Sequence, residues 1–254
     1  MEATGYDFLV SPAPARRGNI TATVTEALRR AIVSLEIPPG VAIDKNAVAA
    51  RLGVSRFPVS EALARLRGEG LVDILPQRGS IASLVRIADV LDYMLIRRAL
   101  ESEAVAVLAT RPGAELVAAL RENLERQRRT AAEEDRRAFH REDLAFHELL
   151  FEALGLPRLR AVIESARANL DRARQLINTP RRIALSVADH QSITDAIAAG
   201  NGAAAAAAMR THLNAVMTGL VDFARRQPAL FADGGEDFTA RVAALFGQAE
   251  NRGT

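Results

Sequence analysis

The sequence predicts a mainly α-helical chain in two modules: a small basic N-terminal one with a short β-hairpin, then a larger antiparallel all-α bundle. Three observations carry this. Apolar residues recur at helical spacing over most of the 254 residues. Strand signals occur once, on either side of a Pro76-Gln77-Arg78-Gly79 turn, and not again after Asp89. The formal net charge is only +2, yet residues 16–86 hold eleven basic against six acidic side chains, and residues from 87 onward carry −1. A basic segment joined to a near-neutral one is the charge footprint of a polyanion-binding module attached to something else.

Residues 1–17 are rich in Pro and Ala, lack periodicity and read as a flexible arm. A helix is predicted after Asn19, with Val24, Leu28, Ile32 and Leu35 on one face and Ile37-Pro38-Pro39-Gly40 as its stop. Asp44 can cap a short second helix that turns Val48 and Leu52 inward and ends at Gly53. Ser55 can cap a third, with Pro58 tolerated in the first turn and Val59, Ala62, Leu63 and Leu66 buried. Leu71–Leu75 and Ser80–Val85 then form the hairpin. This order, over residues 18–86, is a winged helix-turn-helix. A helix about 10–12 Å wide fits a major groove about 12 Å wide. Arg56, Phe57, Val59 and Ser60 would face base edges, and the wing tip Gln77-Arg78-Gly79 would meet a neighbouring groove or phosphates.

Six helices are predicted in residues 87–226, at roughly 88–110, 113–130, 133–154, 157–178, 181–199 and 202–226. The small residues Ala203–Ala208 would let helices approach closely. Residues 227–254 form a C-terminal extension with one more amphipathic stretch, and Leu84–Ala88 link the modules.

Composition sets limits. Hydrophobic residues are 49% and charged residues 25%, enough for a packed core. Aromatics are 4% with no Trp, which argues against a base-stacking platform for single strands. The absence of Cys excludes disulfides, thiolate zinc, iron–sulfur ligation and Cys nucleophiles. No apolar run approaches the roughly 20 residues of a membrane span, and the first residues do not read as a signal peptide. A cytoplasmic protein is expected.

The second module holds all four histidines. Asp143 and His147 stand at i, i+4 on the third bundle helix, His190 on the fifth and His212 on the sixth. A bundle can gather such side chains at one interior point. One carboxylate and three imidazoles suit zinc, nickel, manganese or iron. His140 is also at i, i+3 from Asp143, so spacing does not say which His joins the set; the plainer alternative is unrelated surface histidines. Arg97 and Arg98 are adjacent in an otherwise apolar helix. If Leu95, Ala99 and Leu100 define the buried arc, one of the two faces inward, as a salt bridge to Glu101 or Glu103 or as a fork for a carboxylate ligand.

These phrases resemble the GntR family of bacterial transcription regulators, in the FadR-like subfamily with an all-helical, metal-containing ligand-binding (FCD) domain. The resemblance covers residues 18–226 and rests on LEIPPG, LGVSRFPVSEALARLRGEGLV and PQRGS, then on IRRALESEA, DLAFHELLFEALGLPRL and DHQSITDAIAAGNGAAAAAAMRTHL. It implies one divalent metal per chain, zinc first among candidates, on Asp143, His147, His190 and His212, with His140 outside the set. It implies Arg97 as the carboxylate-contacting arginine; Asn169 and Arg172 are secondary ligand-binding candidates. Lys45, Ser55, Arg56, Phe57, Ser60, Gln77, Arg78 and Gly79 are the expected DNA contacts. The chain departs from the family's S-R-T-P-V-R-E-A-L phrase: Phe57 stands for Thr and Ser60 for the second Arg, and Asn46 stands where an Arg is common. Because Arg on guanine is the commonest specific base contact, these departures remove base discrimination, and the family's operator sequence is not carried over to this chain.

The expected function is a ligand-responsive transcriptional regulator. It would bind a palindromic double-stranded operator as a homodimer and sense a small organic acid at the metal, with no membrane partner and no catalysis. The alternatives are a metal-dependent enzyme or a pure metal sensor built on the helical module.

Overall fold

The computed structural model describes residues 5–9, 20–76, 79–159 and 167–246, without the side chains of 167–169. Most of residues 1–17, together with Asn19, Gln77, Arg78 and the Asn169 side chain, therefore lie outside the described residues. The chain divides into two compact units, residues 1–86 with 229–232, and residues 87–228 with 233–254.

The first unit contains α1 (Ile20–Val33), β1 (Ala42–Ile43), α2 (Lys45–Leu52), α3 (Arg56–Gly68), β2 (Val72–Leu75) and β3 (Gly79–Ala82). Its core is the helical stripe read from the sequence: Val24, Leu28, Ile32, Val48, Leu63 and Leu66 are fully buried. Asp44 Oδ1 accepts from the Asn46 and Ala47 amides at 2.7 and 3.2 Å and starts α2. Gly53, at φ 66°, ends it in the left-handed conformation that costs a glycine nothing. Ser55 occupies the cap position of α3, but its side chain makes no capping bond. The sheet is antiparallel in the order β1-β3-β2.

Several sequence expectations are corrected here. α1 ends at Val33, and Leu35 sits in a left-handed turn at φ 60°, so Ile37 takes the buried place that helical spacing assigned to Leu35. β1, two residues long, pairs with β3 and has no periodicity to announce it. Val59 is fully buried and belongs to the core of the unit, so it is not a base-facing residue. Residues 5–9 are part of the unit and do not behave as a loose arm. Leu9 is fully buried, Tyr6 Oη accepts from the Asp44 amide at 2.8 Å, and Arg51 donates to the Tyr6 and Asp7 carbonyls at 3.0 and 2.9 Å. The last strand-like piece of this unit comes from the far end of the chain. Val85 donates to the Leu230 carbonyl at 3.1 Å and accepts from Ala232 at 2.8 Å, a parallel bridge of Val85 with Phe231.

The second unit contains α4 (Ile87–Thr110), α5 (Ala114–Ala132), α6 (Arg136–Leu154), α7 (Arg167–Ile177), α8 (Pro180–Ala198), α9 (Gly202–Arg226) and α10 (Thr239–Phe246). Residues 157–159 are also helical. α9 packs along α4 and α8, and α5 packs on α6 and α8. The sequence put the start of α6 near 133; Glu134 adopts φ 55° instead, and Asp135 caps the helix through the Ala138 amide at 2.9 Å. Gly202 opens α9 against α4: a Cβ there would lie 2.9 Å from the Ala106 carbonyl oxygen, the close approach expected of small residues. Asp233, buried, caps α4 by accepting from Ile87 at 2.9 Å and Ala88 at 3.0 Å.

The buried arc of α4 is not the one read from sequence. Leu91, Met94, Arg97, Glu101, Ala104 and Val105 face the core, whereas Leu95, Ile96 and Val107 are exposed. α4 is apolar on most of its circumference, so periodicity alone could not choose the inner side.

Candidate metal centre and nucleic-acid interface

α6 places Asp143 and His147 one turn apart, α8 brings His190 and α9 brings His212. All four are buried, and one ligand atom from each lies within 4.8 Å of the others. His140, also buried on α6, is not among the four. Phe146 stacks on the His190 ring with centroids 4.0 Å apart and walls one side of the cluster.

Each imidazole faces an outer partner. His147 Nδ1 lies 2.7 Å from Glu101 Oε2, His190 Nδ1 2.9 Å from Gln127 Oε1, and His212 Nδ1 3.4 Å from Asp189 Oδ2. The Nε2 atoms of all three rings are buried with no hydrogen-bond partner. A proton on Nδ1 of His190 and of His212, facing its acceptor, leaves the Nε2 lone pair free for a cation; His147 Nδ1 lies close to Glu101 Oε2 without a hydrogen bond between them. Orphaned buried acceptors are costly and call for an explanation; three of them converging on a carboxylate fit a metal ion.

The outer partners are themselves anchored. Glu101 is paired with Arg97, and Arg182 donates to Asp189 at 3.1 Å. Gln127 donates to Asn123 Oδ1 at 2.6 Å, which turns its carbonyl oxygen toward His190. Asn123 in turn donates to the Glu142 carbonyl oxygen at 2.9 Å. Asp143 is gripped by Arg174, whose Nη2 lies 2.6 Å from Oδ1 and 2.5 Å from Oδ2.

The charge states follow. Burial pushes the His147 imidazole down to about 4, although Glu101 partly opposes it. Burial also lowers His190 far below its ordinary value and lowers His212, so the rings stay neutral, as metal ligands must. Burial would raise Asp143 and Glu101, but Arg174 with the neighbouring histidines, and Arg97 with His147, together outweigh it and hold both well below the usual carboxylate range.

Of the ligand-contacting candidates, Arg97 is buried and its Nε is committed to Glu101, the salt bridge that i, i+4 spacing allows. The Arg172 side chain is fully buried, and that of Asn169 lies outside the described residues. Sequence reasoning missed Glu101 as a histidine partner, along with Gln127, Asp189 and Arg174. They come from four helices, and the one local signal was the Arg97–Glu101 spacing.

In the first unit, Ser55, Arg56 and Phe57 are exposed at the start of α3, Phe57 at 72%, and Ser60 and Lys45 are partly so. Arg65 and Arg67 add exposed cations near the end of α3. Arg29 is spent on Glu26 and on a two-pronged pair with Glu69. Gly79 adopts φ 84° at the wing, whose tip residues Gln77 and Arg78 are outside the described residues.

A winged helix-turn-helix with an exposed recognition-helix start, joined to a helical unit with a buried ligand-type cluster, defines a ligand-responsive class of DNA-binding regulator. The family description "Bacterial regulatory proteins, gntR family" matches residues 20–81, and "FCD domain" matches residues 92–215. An HTH-type transcriptional regulator in an unstable DNA locus of Streptomyces ambofaciens is 38% identical over 206 residues, spanning 81% of this chain and 86% of that one. The HTH-type transcriptional repressor RspR of Escherichia coli (strain K12) is 31% identical over 193 residues, spanning 74% and 83%. A solved GntR regulator from Rhodococcus sp. RHA1 superposes with a TM-score of 0.70 at 25% identity, over 80% of this chain and 97% of that one. The chain belongs to the GntR family of transcriptional regulators and carries an FCD ligand-binding domain. These matched domains and relatives are regulators, not enzymes. No helix among the described residues is long and apolar enough to cross a membrane.

Proposed function

We propose that this regulator binds a palindromic operator as a homodimer and senses a small organic acid through a divalent metal, zinc first among candidates, in its helical unit. The observation that carries the sensing half is the buried set Asp143, His147, His190 and His212 with three partnerless Nε2 atoms. When bound there, the metal supplies a Lewis-acidic seat for a carboxylate. The chain's own residues do the rest: Glu101, Gln127 and Asp189 orient the rings, and burial keeps them neutral. Arg97 and Arg172 add buried positive charge to the same unit, and Asn169 completes the ligand-contacting set. Lys45, Ser55, Arg56, Phe57 and Ser60 meet the major groove, and Gln77, Arg78 and Gly79 the flanking phosphates or groove. The exposed apolar Leu95, Ile96 and Val107 of α4 support a second copy as partner.

The test is operator affinity with and without small hydroxy and sugar acids, in metal-loaded and metal-stripped protein. Effector and operator affinities must be reciprocally linked, typically by about 1–3 kcal/mol. If no acid shifts DNA affinity in the loaded form, sensing of an acid fails and the metal is structural. Arg56→Ala must weaken duplex binding with the fold intact; unchanged affinity at moderate salt defeats the assignment of the DNA face.

A further inference from the structure

The first unit leaves one aromatic ring in the open. The chain has nine Phe and two Tyr. All but one are buried or half-buried, whereas Phe57, the second residue of α3, is 72% exposed. Among the described residues its ring meets no other ring and no cation. The cause is local. Pro58, Val59, Ala62, Leu63 and Leu66 turn into the core and fix the inner arc of α3. Phe57, Glu61 and Ala64 are left on the outer arc, each about one turn from the next, with exposed Ser55 and Arg56 just before them. A ring that stays in water gains nothing from folding, so the fold of the unit does not call for Phe at this position.

The outer arc at the start of a recognition helix is the part that meets base edges in a major groove. Those edges carry hydrogen-bond donors and acceptors and one apolar group, the 5-methyl of thymine. Against a phenyl ring the donors and acceptors would lose their water and gain no partner, which is costly. Phosphate is no better a neighbour, since the Glu61 carboxylate on the same arc repels it. The methyl is the group in the groove whose removal from water by a ring is favourable.

We propose that Phe57 is a specificity-determining residue that reads a thymine methyl in each operator half-site. This rests on the DNA-face reading above and goes beyond it by naming the base. Cytosine methylated at C5 carries the same group, so the test uses synthetic, unmethylated DNA in which thymine is its source.

The full-length protein selects bound sequences from a random duplex library. The enriched duplex is then made with each thymine in turn replaced by uracil, which lacks only the methyl. Fluorescence anisotropy at fixed salt gives the affinities of wild type, Phe57→Ser and Arg56→Ala. The expected result is one thymine per half-site where uracil weakens the wild type by about 4-fold, the effect of one buried methyl group. Phe57→Ser should bind the thymine duplex more weakly than wild type and make no distinction between thymine and uracil there. It should also melt as wild type does; a lower midpoint would make Phe57 a support of the fold and overturn the proposal. An enriched duplex with no uracil-sensitive thymine overturns it, and so does a sensitivity that Phe57→Ser retains, because another residue then reads the methyl. In those cases Arg56→Ala separates the two levels. If it weakens the enriched duplex, the DNA face stands and only the role of Phe57 falls. If it does not, or if no sequence is enriched at all, the DNA-face reading fails and this inference with it.

Discussion

Glu101→Gln tests the outer support of the cluster at a fully buried point. The substitution keeps the shape of the side chain and removes its charge. Glu101 is fully buried and pairs with the buried Arg97 while facing His147 Nδ1. Two losses follow, of different size. Arg97 becomes a buried charge without its counter-charge, which costs about 3–5 kcal/mol. The amide keeps one acceptor oxygen for two neighbours, Arg97 and His147, and when Arg97 takes it the ring faces an NH2 group; loss of such a partner typically lowers metal affinity about 10- to 100-fold, or about 1.4–2.8 kcal/mol. Folding should therefore suffer more than metal binding, and with a urea slope of about 1–3 kcal/mol/M the midpoint should fall by at least ~1 M. The double variant Arg97→Met, Glu101→Leu separates the two losses. Replacing a buried ion pair with apolar groups of similar volume is often neutral for folding, so stability should return while metal affinity stays low. Urea melts of metal-free protein and a competitive zinc titration measure both. A single variant as stable as wild type would refute the buried-pair argument, and a double variant with wild-type zinc affinity would refute the orienting role of Glu101.

Acid should act on the metal-free protein in two stages. The folded His147 titrates near 4 and the unfolded one near 6.5, with His190 and His212 displaced the same way, so the unfolded state binds more protons in that window. Stability should be flat above about pH 6.5 and fall toward pH 4, by roughly 3 kcal/mol for His147 alone. The depressed Asp143 and Glu101 extend the loss below pH 4, so melts that show no loss between pH 6.5 and 4 would contradict neutral buried rings. Gly202→Ala should destabilise the helical unit by about 1–3 kcal/mol, because its Cβ would meet the Ala106 carbonyl at 2.9 Å; an unchanged thermal midpoint would mean that α9 is free to move away from α4. Asp233→Ala strips the cap from the Ile87 and Ala88 amides and should cost about 0.5–2 kcal/mol, read as faster amide exchange at the start of α4.

How far the sequence could be read follows from how local each feature is. The helices of the first unit were legible because Val24, Leu28 and Ile32 repeat at one period and because Asp44 and Gly53 are end signals within a few residues of what they end. Leu35 misled because the period says nothing about where a helix stops; the left-handed turn that ends α1 is set by Ile37 folding back to bond Ala31 at 3.0 Å. The four cluster residues sit in phrases similar to the family's, while spacing alone left His140 and His147 equal. The outer partners were out of reach: Gln127 meets His190 across 63 residues and Arg174 meets Asp143 across 31, and no period connects such pairs. The side of α4 that faces the core was unreadable for another reason, since Leu95 and Ile96 are as apolar as Leu91 and Met94.

The bridge between Val85 and Phe231 gives this protein a timetable. Val85 is fully buried, and both of its backbone groups find their partners in residues 230–232. On the ribosome, the helices and wing of the first unit emerge early, but its last backbone partners are made roughly 145 residues later, about 7–30 s at ordinary elongation rates. Until then the Val85 amide and carbonyl have only water to bond. The helix-turn-helix unit is thus finished only when nearly the whole helical unit has been made. A nascent or truncated chain ending before residue 229 would carry the recognition helix on an incomplete support, and native DNA binding would appear only with the full-length protein.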